Sequence, residues 1–186
     1  MRMLEITSFA CLALAASTMA GQAAGQPANQ MNFADRREVI INNTPDVQLS
    51  GFHFRNDIST VGARLNMDLK WQNTGQKDIT AFDVVVLYFD QFNRPVLGVG
   101  GRWLVPGQDS ANWSALKPGE SGSDGLRHLS SEETYTGVVY VKDIRFADGT
   151  IWTAPQADVE QRIRASLPEL HDLGAVDLDN STKPQP

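Results

Sequence analysis

The chain is poor in the residues that most often carry chemistry. It holds one cysteine, Cys11, and three histidines, His53, His128 and His171. Cys11 lies inside the N-terminal apolar stretch, so cleavage of that stretch would leave no thiol. Disulfides, thiol catalysis and cysteine-ligated metal are then excluded, and stability must come from burial alone. None of the histidines has a neighbour at ligand spacing, and nothing matches a calcium loop, so no metal site and no cofactor are expected. His53 reads as a structural residue on a strand. Positive charge is also scarce. Sixteen Lys and Arg stand against 22 Asp and Glu, a net charge of −6, and half of that excess lies in residues 155–186. No basic face exists to neutralise phosphates, which argues against nucleic-acid binding. Membrane-spanning runs are missing too, because a spanning helix needs about 20 apolar residues. The expectation is a soluble mature chain, peripheral to a membrane at most.

The stretch at the N-terminus has a different meaning. Arg2 gives a weakly basic start, residues 9–16 are apolar or small, and small residues follow. Thr18-Met19-Ala20 fits a cleavage site, with Ala23-Ala24 as a second candidate. Residues 1–24 are therefore read as an export signal, and the mature chain as periplasmic or secreted. Residues 25–36 are polar and small and read as a flexible leader. The remainder suits one domain by length.

Residues 62–90 dominate that domain. Ala63, Leu65, Met67, Leu69 and Trp71 alternate with polar residues, the period of a half-buried strand. Asn73-Thr74-Gly75 supplies turn chemistry, and a second strand follows from Ile79, so the two are expected to form a meander or hairpin. Around them, 38–41 and 47–54 read as strands, with 42–46 as a breaker and 55–61 as a polar loop. Phe52, His53 and Phe54 blur which face of the second strand is inward. Residues 96–105 read as a glycine-interrupted strand. Residues 117–134, rich in Ser, Gly and charge, read as the longest loop, preceded by a short strand near Trp113 and Leu116. Residues 136–146 and 151–153 form a hairpin about Asp148-Gly149; Val138, Tyr140, Ile144 and Phe146 share a parity there, with Lys142 the exception. Seven or eight short strands with frequent turns predict an all-β, antiparallel immunoglobulin-like β-sandwich over residues 37–154.

One strand does not fit a sandwich alone. Phe82, Val84, Val86 and Tyr88 line one face, while Val85, Leu87 and Phe89 line the other. Both faces are apolar, so something must cover the second. The chain supplies one unattached stripe, Val159-Ile163-Leu167, on a predicted helix at 155–168. Thr153-x-x-Gln156 resembles a capping box there, Pro155 falls in the first turn, and Asp158–Arg162 and Glu160–Arg164 are i,i+4 pairs. The stripe either covers the strand or leaves it bare for a partner. Residues 169–186 read as a disordered tail.

Four pieces together resemble the small extracytoplasmic β-sandwich domains of bacteria called FxLYD-type. They are residues 69–73, residues 81–90 ending Leu-Tyr-Phe-Asp, Leu116-Lys-Pro-Gly-Glu120, and the closing hairpin at 144–152. The resemblance covers roughly residues 47–153. Phe89 is inserted between Tyr88 and Asp90, and Val85 or Val86 stands where the family name places Phe. The resemblance implies a sandwich on the cell-envelope side and brings no catalytic residues.

A search for chemistry returns little. His128, Ser130, Ser131 and Asp124 form the only local cluster of hydrolase type, without the glycine-flanked serine of a nucleophile elbow. Gly98-Val99-Gly100-Gly101 precedes a strand and opens no helix, so it reads as a kink. No catalytic residue is assigned. The expected interaction surface comprises Val85, Leu87 and Phe89 if uncovered, with Trp103, Trp113 and Tyr135 as an aromatic platform. The expectation is a non-catalytic envelope module binding a protein or polysaccharide through a sheet edge or loop surface. The alternative is an exported hydrolase-like enzyme whose residues converge only in three dimensions.

Overall fold

The computed structural model describes residues 36–59, 62–105, 114–129 and 134–174. The expected export signal, the leader up to residue 35, Trp113, Ser130, Ser131 and the tail beyond 174 lie outside the described residues. Within them the chain is mostly β. Its strands are β1 (Arg37–Ile41), β2 (Val47–Ser59), β3 (Gly62–Asn73), β4 (Ile79–Phe89), β5 (Pro95–Val105), β6 (Ser121–Leu129), β7 (Thr136–Phe146) and β8 (Ile151–Thr153), followed by helix α1 (Gln156–Ser166). They form two sheets. One runs β1-β7-β4-β5, with β8 pairing β7 beyond the end of β1; the other runs β2-β3-β6. β1 lies parallel to β7, and the other pairs are antiparallel.

The apolar alternation of β3 does what its period predicts: Leu65, Met67, Leu69 and Trp71 are buried. They share one cluster with Leu49, Phe52 and Phe54 of β2 and with Phe82, Val84, Val86, Val139 and Val141 of the larger sheet. The expected hairpin of β3 and β4 does not form, because the two strands belong to different sheets. Asn73 makes the corner. Its buried side chain donates to the carbonyls of Lys77 and Leu116 and accepts from Gly75 N–H. Its own backbone N–H and carbonyl bond Glu120 and Gly119. A turn residue saturated in this way redirects the chain to the opposite layer.

Three irregularities reset the strand parity. In β2 the register slips between Ser50 and His53, and Gly51 sits at φ 57°. This is a bulge with glycine in the left-handed region, and it turns Phe52 and Phe54 inward after Leu49 while His53 stays exposed. In β7 the slip lies between Val141 and Asp143 opposite β4, so Lys142 is the extra residue. The expected single face of Val138, Tyr140, Ile144 and Phe146 is thereby split. Val138 and Tyr140 lie on the outer side of the sheet, and Ile144 and Phe146 in the inter-sheet cluster. A further slip between Ile79 and Ala81 lets Ile79 and Phe82 share the core despite opposite parity.

Two expected loops are strands. Residues 55–59 extend β2, and 121–129 form β6, which pairs with Arg64–Gln72 of β3. β6 carries little apolar signal because it is an edge. Opposite Trp71 it places Gly122, where a Cβ would fall 2.7 Å from the indole nitrogen.

The second face of β4 is covered. Val85, Leu87 and Phe89 form a separate cluster with Ile41, Val138, Tyr140 and the helix residues Val159 and Ile163, continued by Leu167. The cover extends past the helix: Leu170 and Leu173 are buried in it, which corrects the expected disorder for 169–174. No capping box closes the helix start. Pro155 is the N-cap without a side-chain bond, and the Thr153 hydroxyl donates to Asp143 instead (2.7 Å). Arg164 donates to the carbonyls of Leu170 and His171, holding the chain after the helix against it.

β1 closes the flank where the two sheets meet. Glu38 accepts the Phe54 N–H (2.8 Å) and His53 Nδ1 lies 2.8 Å from the same carboxylate. Asn42 bonds both backbone groups of Leu49, and Asn43 both of Val141. Two adjacent asparagines thus imitate strand pairing, one to each sheet.

Candidate interaction site

The residues expected to form a surface are mostly interior. Val85, Leu87 and Phe89 lie beneath α1 and are not available to a partner. Trp103 is 4% exposed and meets Trp71 edge-on at 6.4 Å, so it belongs to the core. The cause is parity: Trp103 and Val105 face inward and Leu104 outward. Tyr135 is half-buried, and its backbone ties Arg37 N–H to Phe89 carbonyl. No aromatic platform is formed by Trp103 and Tyr135, and Trp113 lies outside the described residues. His53 is exposed beside Glu38, and Asp124 is exposed on β6. Among the described residues no three His, Cys, Asp or Glu side chains gather as a metal site.

What the fold leaves open is the part of the outer face of the larger sheet beyond the reach of α1. There a groove of about 480 Å³ runs across the strands. One register row is Leu104 on β5, Asp83 on β4, Asp143 on β7 and Thr153 on β8; the next is Ala81, Arg145 and Ile151. Leu104 is 52% and Ile151 64% exposed, large apolar side chains at the two ends of the groove. Three inter-strand spacings separate β5 from β8, roughly 14 Å. Between these ends lie two carboxylates on facing positions, Asp83 buried and Asp143 partly so. Like charges opposite each other across strands are unfavourable, and the Thr153 hydroxyl offsets this by donating to Asp143. Sequence reasoning missed the groove because its residues are scattered over 70 positions and share a face only after the β7 bulge re-aims Asp143 and Arg145. The one signal was the exceptional Lys142. A second hollow, about 620 Å³, lies on β2-β3-β6 and is lined by His53, Asp68, Lys70, Ser123 and Asp124 together with Leu69 and glycines.

Four groups with shifted titrations, Tyr88, Asp90, Asp148 and Arg36, are held by structural contacts. Burial pushes the Tyr88 phenol well above its ordinary value, and its hydroxyl donates to Met67 Sδ in the core. Burial acts to raise the Asp90 carboxyl, yet the Arg94 and Phe92 backbone amides and the Arg94 guanidinium outweigh it and hold the group below its usual range. The Lys77 ammonium and the Thr150 hydroxyl and amide hold Asp148 far below it. Burial lowers Arg36, against the opposing charge of Glu38.

No family model matches the chain, and no curated protein matches it. Among solved structures, a hypothetical protein from Peptoclostridium difficile 630 is similar at 12% identity and a TM-score of 0.43, over 67% of this chain and 92% of that one. The putative ApaA protein from Bordetella pertussis is similar at 15% identity and a TM-score of 0.39, over 62% and 91%. Likenesses this distant bring no function to the chain.

Proposed function

We propose that the chain is a non-catalytic module exported to a bacterial cell envelope, built as an immunoglobulin-like sandwich of the FxLYD type. It binds an envelope protein or polysaccharide through the open face of its larger sheet. The observation that carries this reading is the pairing of exposed Leu104 and Ile151 at the ends of one groove, with Asp83, Asp143 and Arg145 between them. Monomer surfaces present apolar residues singly as a rule, whereas apolar groups converging with polar ones mark binding grooves. The helix supports the same reading, since it covers the apolar stripe of β4 and stops short of this end. Export is supported by the sequence of residues 1–24.

The test is site-specific photo-crosslinking in a bacterium that carries the full-length chain, with the probe at Ile151 and, as control, at Arg162 on the exposed side of α1. Adducts of discrete mass from position 151 in the envelope fraction, absent from position 162, are expected. Equal adducts at both positions, none at 151, or a chain retained in the cytoplasm with Met1 intact would refute it.

A further inference from the structure

The cover over β4 is attached differently from every strand. β8 is bonded to β7 as a ladder, and Ala154 beyond it is buried with its N–H on the Lys142 carbonyl. Past that point the bonding turns inward. Among the described residues, the backbone hydrogen bonds of 156–174 close on Pro155 or within the segment: Asp158 and Val159 on Pro155, Leu167 on Ile163, Leu170 on Leu167. Arg164 does the same with its side chain, donating to the carbonyls of Leu170 and His171. Lifting the segment breaks no strand ladder.

The apolar clusters divide along the same line. The buried inter-sheet cluster ends at Phe146 in chain order. Val159, Ile163, Leu167, Leu170 and Leu173 all belong to the cluster on the outer face. Removing the segment therefore takes away one cluster and leaves the other whole. The segment does not hold itself together when undocked. Its helix has 11 residues and an N-cap without a side-chain bond, and isolated helices below about 12–15 residues are marginal in water. It is ordered by docking, which makes docking one event. The far end adds little: a partly exposed Arg37–Glu169 ion pair, of a kind that contributes weakly, and Gly174, at φ 63°, laid so closely on Pro95 that a Cβ would fall 2.9 Å from the proline's.

We propose that residues 156–174 are a strap that opens as one unit while both sheets stay intact. The hinge is Pro155, between Ala154, which remains fixed to β7, and Gln156, which leaves with the helix. The closed state is held by the five apolar side chains, and the open state bares Val85, Leu87 and Phe89. Because opening gives up one cluster and no ladder, it lies below global unfolding in free energy, as sub-global openings do.

The experiment is native-state hydrogen exchange on the full chain in low urea, resolved by amide. Amides 160–167 should exchange through one shared opening, at least about a hundredfold faster than amides 84–86 and 138–141. Leu170→Ala, beyond the helix, should speed all of 160–167 by at least about tenfold. Ile79→Val, in the inter-sheet cluster, should speed the sheet amides about two- to tenfold and leave 160–167 unchanged, because the open and closed states lose the same contact. Strap amides that exchange in step with the sheets, or that respond to Ile79→Val, would overturn the proposal by showing a single global transition. Helix amides indifferent to Leu170→Ala would overturn it too, by showing piecemeal fraying. None of these outcomes depends on the envelope ligand proposed above.

Discussion

Ile163→Ala isolates the contact between α1 and β4. Ile163 has no solvent exposure, and its cluster contains Val85, Leu87, Phe89, Val138 and Tyr140. Truncation removes the aliphatic chain beyond Cβ, at about 0.8 kcal/mol per carbon on transfer, and leaves a hole that a helix packed along one stripe closes only in part. The expected loss is about 2–5 kcal/mol, a large share of a total near 5–15. Urea unfolding followed by tryptophan fluorescence should show a lower midpoint at unchanged slope. Arg162→Ala, on the exposed side of the same helix, should stay within about 0.5 kcal/mol. A cycle with Val85→Ala sharpens the test, because groups in one cluster couple by about 0.5–3 kcal/mol. Additive losses, or an Ile163→Ala loss under about 1 kcal/mol, would mean that the helix does not hold the sheet. A stop after Pro155 is the harsher version: the exposed stripe should then drive self-association.

Trp71→Ala should cost about 3–5 kcal/mol as a core truncation. Trp71→Phe should cost under about 1.5, because the buried indole N–H has no acceptor among the described residues and its removal relieves that penalty; a melting series decides both. Asn42→Ala strands the Leu49 N–H and carbonyl on β2 and should lose about 1–3 kcal/mol, with faster hydrogen exchange at Leu49; unchanged exchange would refute the clamp. Asp90 and Asp148 both titrate below their ordinary values in the fold, so the unfolded chain binds more protons as pH falls. Their stabilisation is therefore present at neutral pH and fades below about pH 5, and Asp148→Asn should flatten that acid limb in denaturant midpoints measured against pH.

Strand positions were legible wherever apolar alternation ran unbroken, as in β3, and wherever one residue forces a turn, as at Gly149 (φ 84°). The apolar second face of β4 and the stripe on α1 were legible as a pair because each lacked a partner. β6 was not, since an edge strand facing Trp71 with Gly122 needs no apolar side chain there. Layer assignment of β3 and β4 was also hidden: Asn73 reads as a turn residue in either topology, and only its bonds to Lys77, Gly119 and Leu116 distinguish a corner from a hairpin. The bulges at Gly51 and Lys142 each shift phase by one residue, which a period-two reading cannot anticipate. Trp103 and Leu104 lie on a part of β5 where the register is regular; there the glycine-interrupted sequence offered no alternation by which to tell the two faces apart.

Helix α1 follows all eight strands in chain order, so the cover is made after the sheets it closes. Until residues 156–173 dock, the stripe from Val85 to Phe89 has no cover. A chain cut short by a premature stop or by a protease would carry the same bare stripe permanently, the kind of surface that chaperones and degradative proteases bind. The presence or absence of residues 156–173 is thus readable on the outside of the sheet.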